Sequence, residues 1–313
     1  MPIDNIHDKF FKESFSRKET VKGLIQELFP VELRNNINLE SLELTNNSFI
    51  DETLNEHFAD LVYVCQYKGK QQIQISFLFE HKSYQDSYPH FQLIRYLVNA
   101  WEQNKKDKKS LTMTIPIIIY HGKKAWKYES LSQYFKGLDS ELTRFLPDFD
   151  YLLIDISKFS DDDIFNFKNR FLALSMILLK NSRLKNYLTT ITESFIELMR
   201  DIENQGDMNY IKSVFVYTIS TYEGLTKQEI IAIFRQVSSK TEQMTMSIAD
   251  VIKKEGKIEG KIEGRLEGKV QTSAQFIKGL LKMGMDSATI AATFNMPKVE
   301  VEELISKIKQ GLL

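Results

Sequence analysis

The 313-residue sequence predicts a mixed α/β domain followed by a helical region. Residues 57–67 and 71–83 show strand-like patterns on either side of a short turn at 68–70, which predicts a β-hairpin. A continuous apolar run at 116–120, reading PIIIY, is typical of a central strand covered on both faces. From about residue 160 to 250 the apolar spacing is helical. We therefore expect a sheet flanked by helices, with an all-helical extension after it.

The remaining elements follow from apolar spacing and from residues that start or stop helices. Residues 5–28 have broadly helical spacing that Pro30 interrupts, so one or two helices open the chain before a polar stretch. Ser87 can cap a later helix that has Pro89 in its first turn. Residues 151–157 predict one further strand, which gives the order helix, strand, strand, helix, strand, strand. The expected apolar stripe of the later helix consists of Phe91, Ile94, Val98 and Trp101.

These patterns divide the chain into four predicted segments. They are a core at residues 1–160, a helical extension at 161–250, a glycine-rich repeat at 251–272 and a small helical module resembling a helix-turn-helix at 273–313.

Composition narrows the class of protein. The 41 basic and 42 acidic side chains nearly cancel, so any nucleic-acid surface must be a local patch rather than a global field. The single cysteine, Cys65, cannot form an intramolecular disulfide, and no apolar run approaches the roughly 20 residues that span a bilayer. We expect no signal peptide, no membrane contact and a cytoplasmic location.

Charged residues lie at the end of the second hairpin strand, directly after its apolar run. Because side chains alternate along a strand, Glu80 and Lys82 share the face opposite to that of Ile73, about 7 Å apart. The hairpin brings the start of its first strand beside the end of its second, so we expect Asp60 to lie level with this pair. Gln92 lies one turn into the next helix, where it could hold a water molecule or a phosphate.

Two carboxylates in a partly buried position repel each other unless a proton or a cation lies between them. Mg²⁺ or Mn²⁺ binds one or two carboxylates together with water, a carbonyl oxygen and a substrate phosphate oxygen. We therefore predict that Asp60, Glu80 and the backbone carbonyl of His81 bind the metal, while Lys82 orients water or neutralises charge. This is the chemistry of phosphodiester hydrolysis. The alternative is an ordinary ion pair between Glu80 and Lys82, since structural ion pairs also collect charged residues.

Several motifs along most of the chain also carry a resemblance to one family. They are HDKFFKESFS (7–16), SFIDETLNEHFADLVY (48–63), FLFEHKS (77–83), HFQLIRYL (90–97), PIIIYHGKKAWKY (116–128) and MTMSIADVIKKEGKIEGKIEGRLEG (244–268). Through them the sequence resembles the recombination-promoting nuclease family, also described as PD-(D/E)XK nuclease family transposases. The segment IIIYHGKKAW and the repeated EG tail are the most specific of these motifs.

The resemblance implies a restriction-endonuclease-like core that cuts DNA with Mg²⁺ and a link to horizontally acquired or mobile DNA. It also implies that Asp60 and Glu80 are metal ligands, that Lys82 is the catalytic lysine and that Gln92 is an auxiliary on the helix. One departure is Ala59, which stands where the family pattern has a proline before the first acid.

Three further groups are secondary candidates. Glu13 could complete a metal or water shell, although a solvated helix residue is the simpler interpretation. Lys123 and Lys124 could contact phosphates, whereas the alternative is a loop that packs Trp126. A basic cluster before the central strand is either a solvated helix end or a contact for the DNA backbone. Its members are Lys105, Lys106, Lys108 and Lys109.

Residues 254–270 repeat every four positions, with glycine at 256, 260, 264 and 268. On one helix this repeat places like charges one turn apart, and each glycine costs about 1 kcal/mol relative to alanine. A second copy could supply the missing contacts. A flexible tether and a self-associating helix therefore both stay open, the latter giving a homo-oligomer through residues 251–313.

The last segment predicts three short helices with turns at Gly284 and Pro297. Its third helix would present Glu300, Glu302 and Glu303, whose charge has the wrong sign for phosphates. We therefore favour a helical interaction module over a DNA-reading one.

We predict a Mg²⁺-dependent DNA endonuclease linked to recombination or mobile DNA, in which Mn²⁺ can replace Mg²⁺. The alternative is a noncatalytic DNA-associated or protein-interaction factor that keeps the nuclease fold. RNA cleavage would differ only in substrate. Because Asp60, Glu80 and Lys82 are all present, the sequence favours the enzyme.

Overall fold

The computed structural model describes residues 5–45, 61–69, 71–80, 87–122, 124–294 and 296–310, without the side chains of residues 74, 76–80 and 251–269. The chain forms two compact units, Pro2–Thr245 and Met246–Leu313. The four segments expected from the sequence stay a prediction.

Among the described residues, five strands form one mixed sheet in the first unit, in the order β1-β2-β3-β4-β5. The first three strands are antiparallel neighbours, whereas β3, β4 and β5 run parallel to one another. The strands are β1 at Ile37–Thr45, β2 at Leu61–Tyr67, β3 at Gln71–Glu80, β4 at Met113–Tyr120 and β5 at Leu152–Asp155.

The predicted mixed sheet with flanking helices is confirmed, but the expected number of strands was wrong. Strand β1 lies in the stretch that the sequence presented as polar. Only Ile37 and Leu42 are buried in it, and its register against β2 shifts between Asn38 and Glu43. This irregularity removes the strict alternation by which a half-buried strand is recognised.

Helices make up most of the remaining described structure, and three short 3-10 turns occur at Leu131–Tyr134, Thr143–Phe145 and Ile156–Lys158. The helices of the first unit are α1 at Ile6–Phe15, α2 at Lys18–Leu28, α3 at Val31–Arg34, α4 at Pro89–Lys106, α5 at Asp161–Phe165, α6 at Arg170–Asn181, α7 at Tyr187–Thr190, α8 at Thr192–Asn204, α9 at Met208–Thr221 and α10 at Lys227–Arg235. The division between the units falls within α11 at Ser239–Lys282, which is followed by α12 at Ser287–Phe294 and α13 at Lys298–Lys309. None of the helices in the described ranges combines the length and the apolar content that crossing a bilayer requires.

Strand β4 is covered on both faces, as its continuous apolar run predicts. Ile118 and Tyr120 pack with Leu93 of α4 in one buried cluster. On the opposite face, the Tyr63 hydroxyl donates to the Phe15 carbonyl of α1 at 2.9 Å. The sheet therefore lies between α4 on one side and the opening helices on the other.

The face that α4 buries differs from the expected one. Leu93, Tyr96, Leu97 and Ala100 are buried. Phe91 and Val98, which we expected in the apolar stripe, are 50% and 42% exposed. The expected stripe was wrong because this helix is apolar on two sides, and contact with Ile118 and Tyr120 selects one of them.

The second unit has its own small core of aliphatic side chains. It joins the end of α11 to α12 and α13 through Ile277, Ile290, Ala291, Val301, Leu304 and Ile305. Gly284, with φ at 83°, turns the chain after α11, and Pro297 precedes α13. The first of the three expected short helices is thus the end of a longer one. Residues 251–272 also lie within α11, and their self-association stays a prediction.

Candidate functional site

Three parallel strands end in one row. Glu80, the last residue of β3, pairs with Tyr120 of β4, and Tyr120 pairs with Asp155 of β5. Neighbouring strands lie about 4.8 Å apart, so the backbones of Glu80 and Asp155 are about 10 Å apart. The carboxyl edge of parallel strands is where α/β proteins commonly bind ligands. We call this row of three residues the carboxyl edge.

The carboxyl edge is also where β2 begins. Leu61, the first residue of β2, pairs with Phe77 of β3, three positions before Glu80. Asp60 precedes Leu61 in the sequence, but Asp60, His81 and Lys82 lie outside the described residues. The side chain of Glu80 is not described either, so the predicted convergence of these groups stays a prediction.

Helix α4 presents its N-terminus after this row. Tyr88 occupies the N-cap position, without a side-chain cap, and Pro89 is the first helical residue. The expected cap at Ser87 was therefore wrong by one position, while the prediction of a first-turn proline is confirmed. Gln92 lies in the first turn and is partly buried, next to Leu93, which packs on the sheet.

The loop after β4 packs against α6 and against the end of β4 itself. His121 is buried, and its Nδ1 lies 3.1 Å from the Leu179 carbonyl of α6. The ring of Trp126 meets that of Tyr120 edge to face, with centroids 5.0 Å apart. At Gly122 any added side chain would overlap the Tyr120 ring, which explains a glycine at this point. The segment HGKKAW thus includes the buried Trp126 and the exposed Lys124, while Lys123 lies outside the described residues.

Asp155 anchors this loop and is a residue that sequence reasoning missed. Its carboxylate accepts hydrogen bonds from the Trp126 amide at 2.7 Å and from the Ser157 amide and hydroxyl at 3.0 and 2.6 Å. Its position at the end of YLLID gave no signal by itself, because only the parallel register brings it level with Tyr120.

The secondary candidates do not gather at the carboxyl edge. The Glu13 carboxylate accepts a hydrogen bond from Arg17 at 2.6 Å, and Arg17 also binds Asp207, the N-cap residue of α9, so Glu13 belongs to an ion-pair network that joins α1 to the start of α9. Lys105, Lys106, Lys108 and Lys109 are all exposed at the far end of α4. Gln92 and Lys106 are separated by 14 residues of helix, or about 21 Å.

His90, two residues before Gln92 in α4, is buried and shares a hydrogen bond of 2.7 Å with the Tyr134 hydroxyl through its Nδ1. Burial lowers the pKa of His90, and the Asp150 carboxylate partly opposes this effect. The imidazole is therefore neutral near pH 7. His90 is therefore a buried structural residue at the start of α4, not an exposed acid or base.

The chemistry of the predicted donors fits a hard cation. Two carboxylates and a backbone carbonyl are all oxygen donors, which is the set that Mg²⁺ prefers. Within the described ranges, no group of three or more histidine, cysteine, aspartate or glutamate side chains could hold a metal ion.

The fold and the carboxyl edge define an α/β protein whose candidate site lies where its parallel strands end. Residues 5–209 match the family model described as "Putative transposase, YhgA-like", and the chain belongs to this family. The resemblance to the recombination-promoting nucleases is confirmed by the relatives described next. No solved structure matches the chain.

Several curated relatives cover most of the chain. The recombination-promoting nuclease RpnC of Escherichia coli K12 is 28% identical over 310 residues, which are 98% of this chain and 99% of the relative. RpnA of the same strain is 27% identical over 80% of this chain and 84% of its own. The inactive nuclease-like protein RpnE, also from that strain, is 25% identical over 80% of this chain and 82% of its own. Similarity of this degree therefore includes relatives named as nucleases and one named as inactive.

Proposed function

We propose that this protein is a metal-dependent DNA endonuclease that hydrolyses phosphodiester bonds and acts in recombination or on mobile DNA. Glu80 carries the proposal, because it ends β3 in the row where parallel strands stop and where ligands commonly bind. The family supports it as well, since RpnC, which matches the chain over nearly its whole length, is named a recombination-promoting nuclease. DNA is thus the proposed substrate.

The chain's own residues have distinct roles in this proposal. Asp60, Glu80 and the His81 carbonyl hold the cation, and the Lys82 ammonium neutralises charge on the phosphate or orients the attacking water. Gln92 holds a water molecule or a phosphate oxygen from the first turn of α4. When bound, Mg²⁺ supplies charge neutralisation and a water of lowered pKa. The surface for DNA includes Lys123 and Lys124, which follow β4 in the sequence, and the lysines from Lys105 to Lys109 at the end of α4.

A noncatalytic DNA-associated factor is the second candidate. It is favoured by one specific observation, the 25% identity to RpnE, which is named inactive. The two candidates differ in DNA cleavage. Only the enzyme cleaves DNA, and it requires the carboxylates and Lys82 to do so. Both would bind DNA.

Cleavage of supercoiled plasmid with Mg²⁺ and with EDTA separates these candidates. The set of proteins comprises the parent chain, Asp60→Asn, Glu80→Gln and Lys82→Ala, with Glu102→Gln as a matched control. Glu102 is an exposed acid on α4, so its substitution removes one negative charge away from the carboxyl edge. Removal of a group that stabilises transition-state charge lowers the rate about 100-fold or more.

We expect the parent and Glu102→Gln to cut with Mg²⁺ and not with EDTA, and the three site variants to lose activity. Equal cutting by Glu80→Gln and the parent would refute the assigned site. Tight DNA binding by a parent chain that does not cut would instead favour the noncatalytic factor.

A further inference from the structure

Aromatic rings are exposed at the start of α4, directly beside the candidate site. Tyr88 and Phe91 are 51% and 50% exposed. Their rings are nearly parallel, at 15°, with centroids 5.5 Å apart. The Tyr134 ring meets both edge to face, at 5.1 and 6.0 Å. We call these three residues the aromatic platform.

Buried side chains hold the aromatic platform in place. His90 is fully buried, and its hydrogen bond of 2.7 Å fixes the Tyr134 hydroxyl. The His90 ring in turn lies among Tyr134, Phe149 and Tyr151, with centroids 5.2 to 5.3 Å away. Pro89 fixes the backbone at the first helical position. The rings of the aromatic platform are thus ordered before a ligand binds, so binding costs little conformational entropy.

The position of the aromatic platform indicates its occupant. Phe91 is adjacent in sequence to Gln92, and its helix begins nine residues after Glu80. Arg95 lies one turn beyond Phe91 and is exposed on the same side of α4, about 6 Å along the axis. A flat apolar ring next to a cation matches a nucleotide, which has a flat base joined to a phosphate. Aromatic side chains stack on any base once it is unpaired.

We propose that the aromatic platform stacks an unpaired nucleobase of the DNA substrate, with Arg95 contacting the adjoining phosphate. This inference rests on the proposed function, because it takes DNA as the ligand. It adds that the protein prefers single-stranded or locally opened DNA to a closed duplex. The Phe91 ring is the central contact, since it is half exposed and contacts both Tyr88 and Tyr134.

The experiment measures binding of a labelled single strand and of the blunt duplex of the same sequence by fluorescence anisotropy. It is run at one salt concentration, with EDTA and again with Ca²⁺, because DNA affinity depends on salt. The proteins are the parent, Phe91→Ala, Phe91→Trp and Val98→Ala. Val98 is the matched control, since it is 42% exposed two turns further along the same side of α4 and has no ring.

We expect Phe91→Ala to bind the single strand about 5- to 150-fold more weakly, which is the range that corresponds to one lost base stack. Its duplex affinity should change by less than about 3-fold. Phe91→Trp should retain single-strand binding because tryptophan also stacks, and Val98→Ala should match the parent.

The inference is overturned if Phe91→Ala binds the single strand as the parent does, or if the parent does not bind it at all. It is also overturned if Phe91→Ala leaves binding unchanged but lowers the molar mass by light scattering, which would make this face a contact between copies. Plasmid cleavage separates this result from the proposed function. A parent that cuts, with unchanged binding by Phe91→Ala, overturns the aromatic platform alone. A parent that binds through Phe91 but never cuts overturns the nuclease alone.

Discussion

Replacing Asp155 should release the HGKKAW loop from the carboxyl edge. This carboxylate is 2% exposed and accepts three hydrogen bonds, one from Trp126 and two from Ser157. In Asp155→Asn, the side-chain oxygen can keep both bonds to Ser157. The introduced NH2 group then faces the backbone N–H of Trp126, and two donors cannot form a hydrogen bond. In Asp155→Ala all three bonds are lost, and both backbone donors lose this acceptor.

The cost follows from the number of bonds removed. A hydrogen bond to a charged group contributes about 1.5–3 kcal/mol, and a buried donor left unpaired costs about 1–3 kcal/mol. We therefore expect Asp155→Asn to lose about 2 kcal/mol of unfolding free energy and Asp155→Ala about 4 kcal/mol. For a cooperative unit of this size, each 1 kcal/mol lowers Tm by about 2–4 °C. The expected decreases are about 4–8 °C for asparagine and about 8–16 °C for alanine.

Thermal unfolding followed by tryptophan fluorescence is a suitable assay. The sequence contains two tryptophans, Trp101 and Trp126, and both lie in the Pro2–Thr245 unit, so the signal reports this unit. The control is Asp148→Asn, which removes an exposed carboxylate seven residues earlier. If Asp155→Ala melts within about 1 °C of Asp148→Asn, the carboxylate does not anchor the loop, since such a shift is under 1 kcal/mol.

Three other predictions use buried groups. Burial raises the pKa of Cys65 to about 11, so this single thiol should react slowly with a maleimide at pH 8 in the native chain and fully in denaturant; rapid native labelling would contradict its burial. Folding lowers the pKa of His90, so as the pH falls below about 6.5 the unfolded chain takes up this proton more readily than the folded chain does. The free energy of unfolding therefore decreases as the pH falls. Denaturant titrations from pH 7.5 to pH 5 should show a smaller decline for His90→Gln, and an unchanged slope would exclude this source. Ile290→Ala should destabilise the second unit by about 2–5 kcal/mol, because Ile290 is fully buried there. Hydrogen exchange in α12 and α13 would measure it against Val299→Ala, whose side chain is 77% exposed, and equal protection in both would refute the packing.

The predictability of each element depended on whether its signal was local. The run PIIIY alone predicted β4, because a strand covered on both faces needs no alternation. Strand β1 was missed because its shifted register leaves only Ile37 and Leu42 buried. In α4, two sets of apolar residues both repeat at helical spacing, and periodicity cannot choose between them. The choice of Leu93 over Phe91 for burial is made by contact with β4.

The candidate site shows the same division between local and long-range information. The strand predicted at residues 71–83 is found as β3 at Gln71–Glu80, so its apolar run located the strand but not its last residue. The row formed by Glu80, Tyr120 and Asp155 joins residues 40 and 35 positions apart. Such a row depends on parallel register, which no local pattern encodes. For the same reason the loop anchor at Asp155 and the aromatic platform became visible only in three dimensions.

The exposed face of α4 extends from the aromatic platform at its start to the lysine cluster at its end. Phe91 and Arg95 lie near the start of this face, and Lys105 and Lys106 lie in its last turn. Phe91 and Lys105 are 14 residues apart, or about 21 Å along the helix. With its bases stacked at about 3.4 Å per nucleotide, as in one strand of a duplex, a strand that touches both ends spans about six nucleotides. A shorter stacked strand can therefore contact the aromatic platform but cannot also reach the lysines. The exposure of Phe91 and the distance of the lysines from the carboxyl edge thus fit one DNA path along α4.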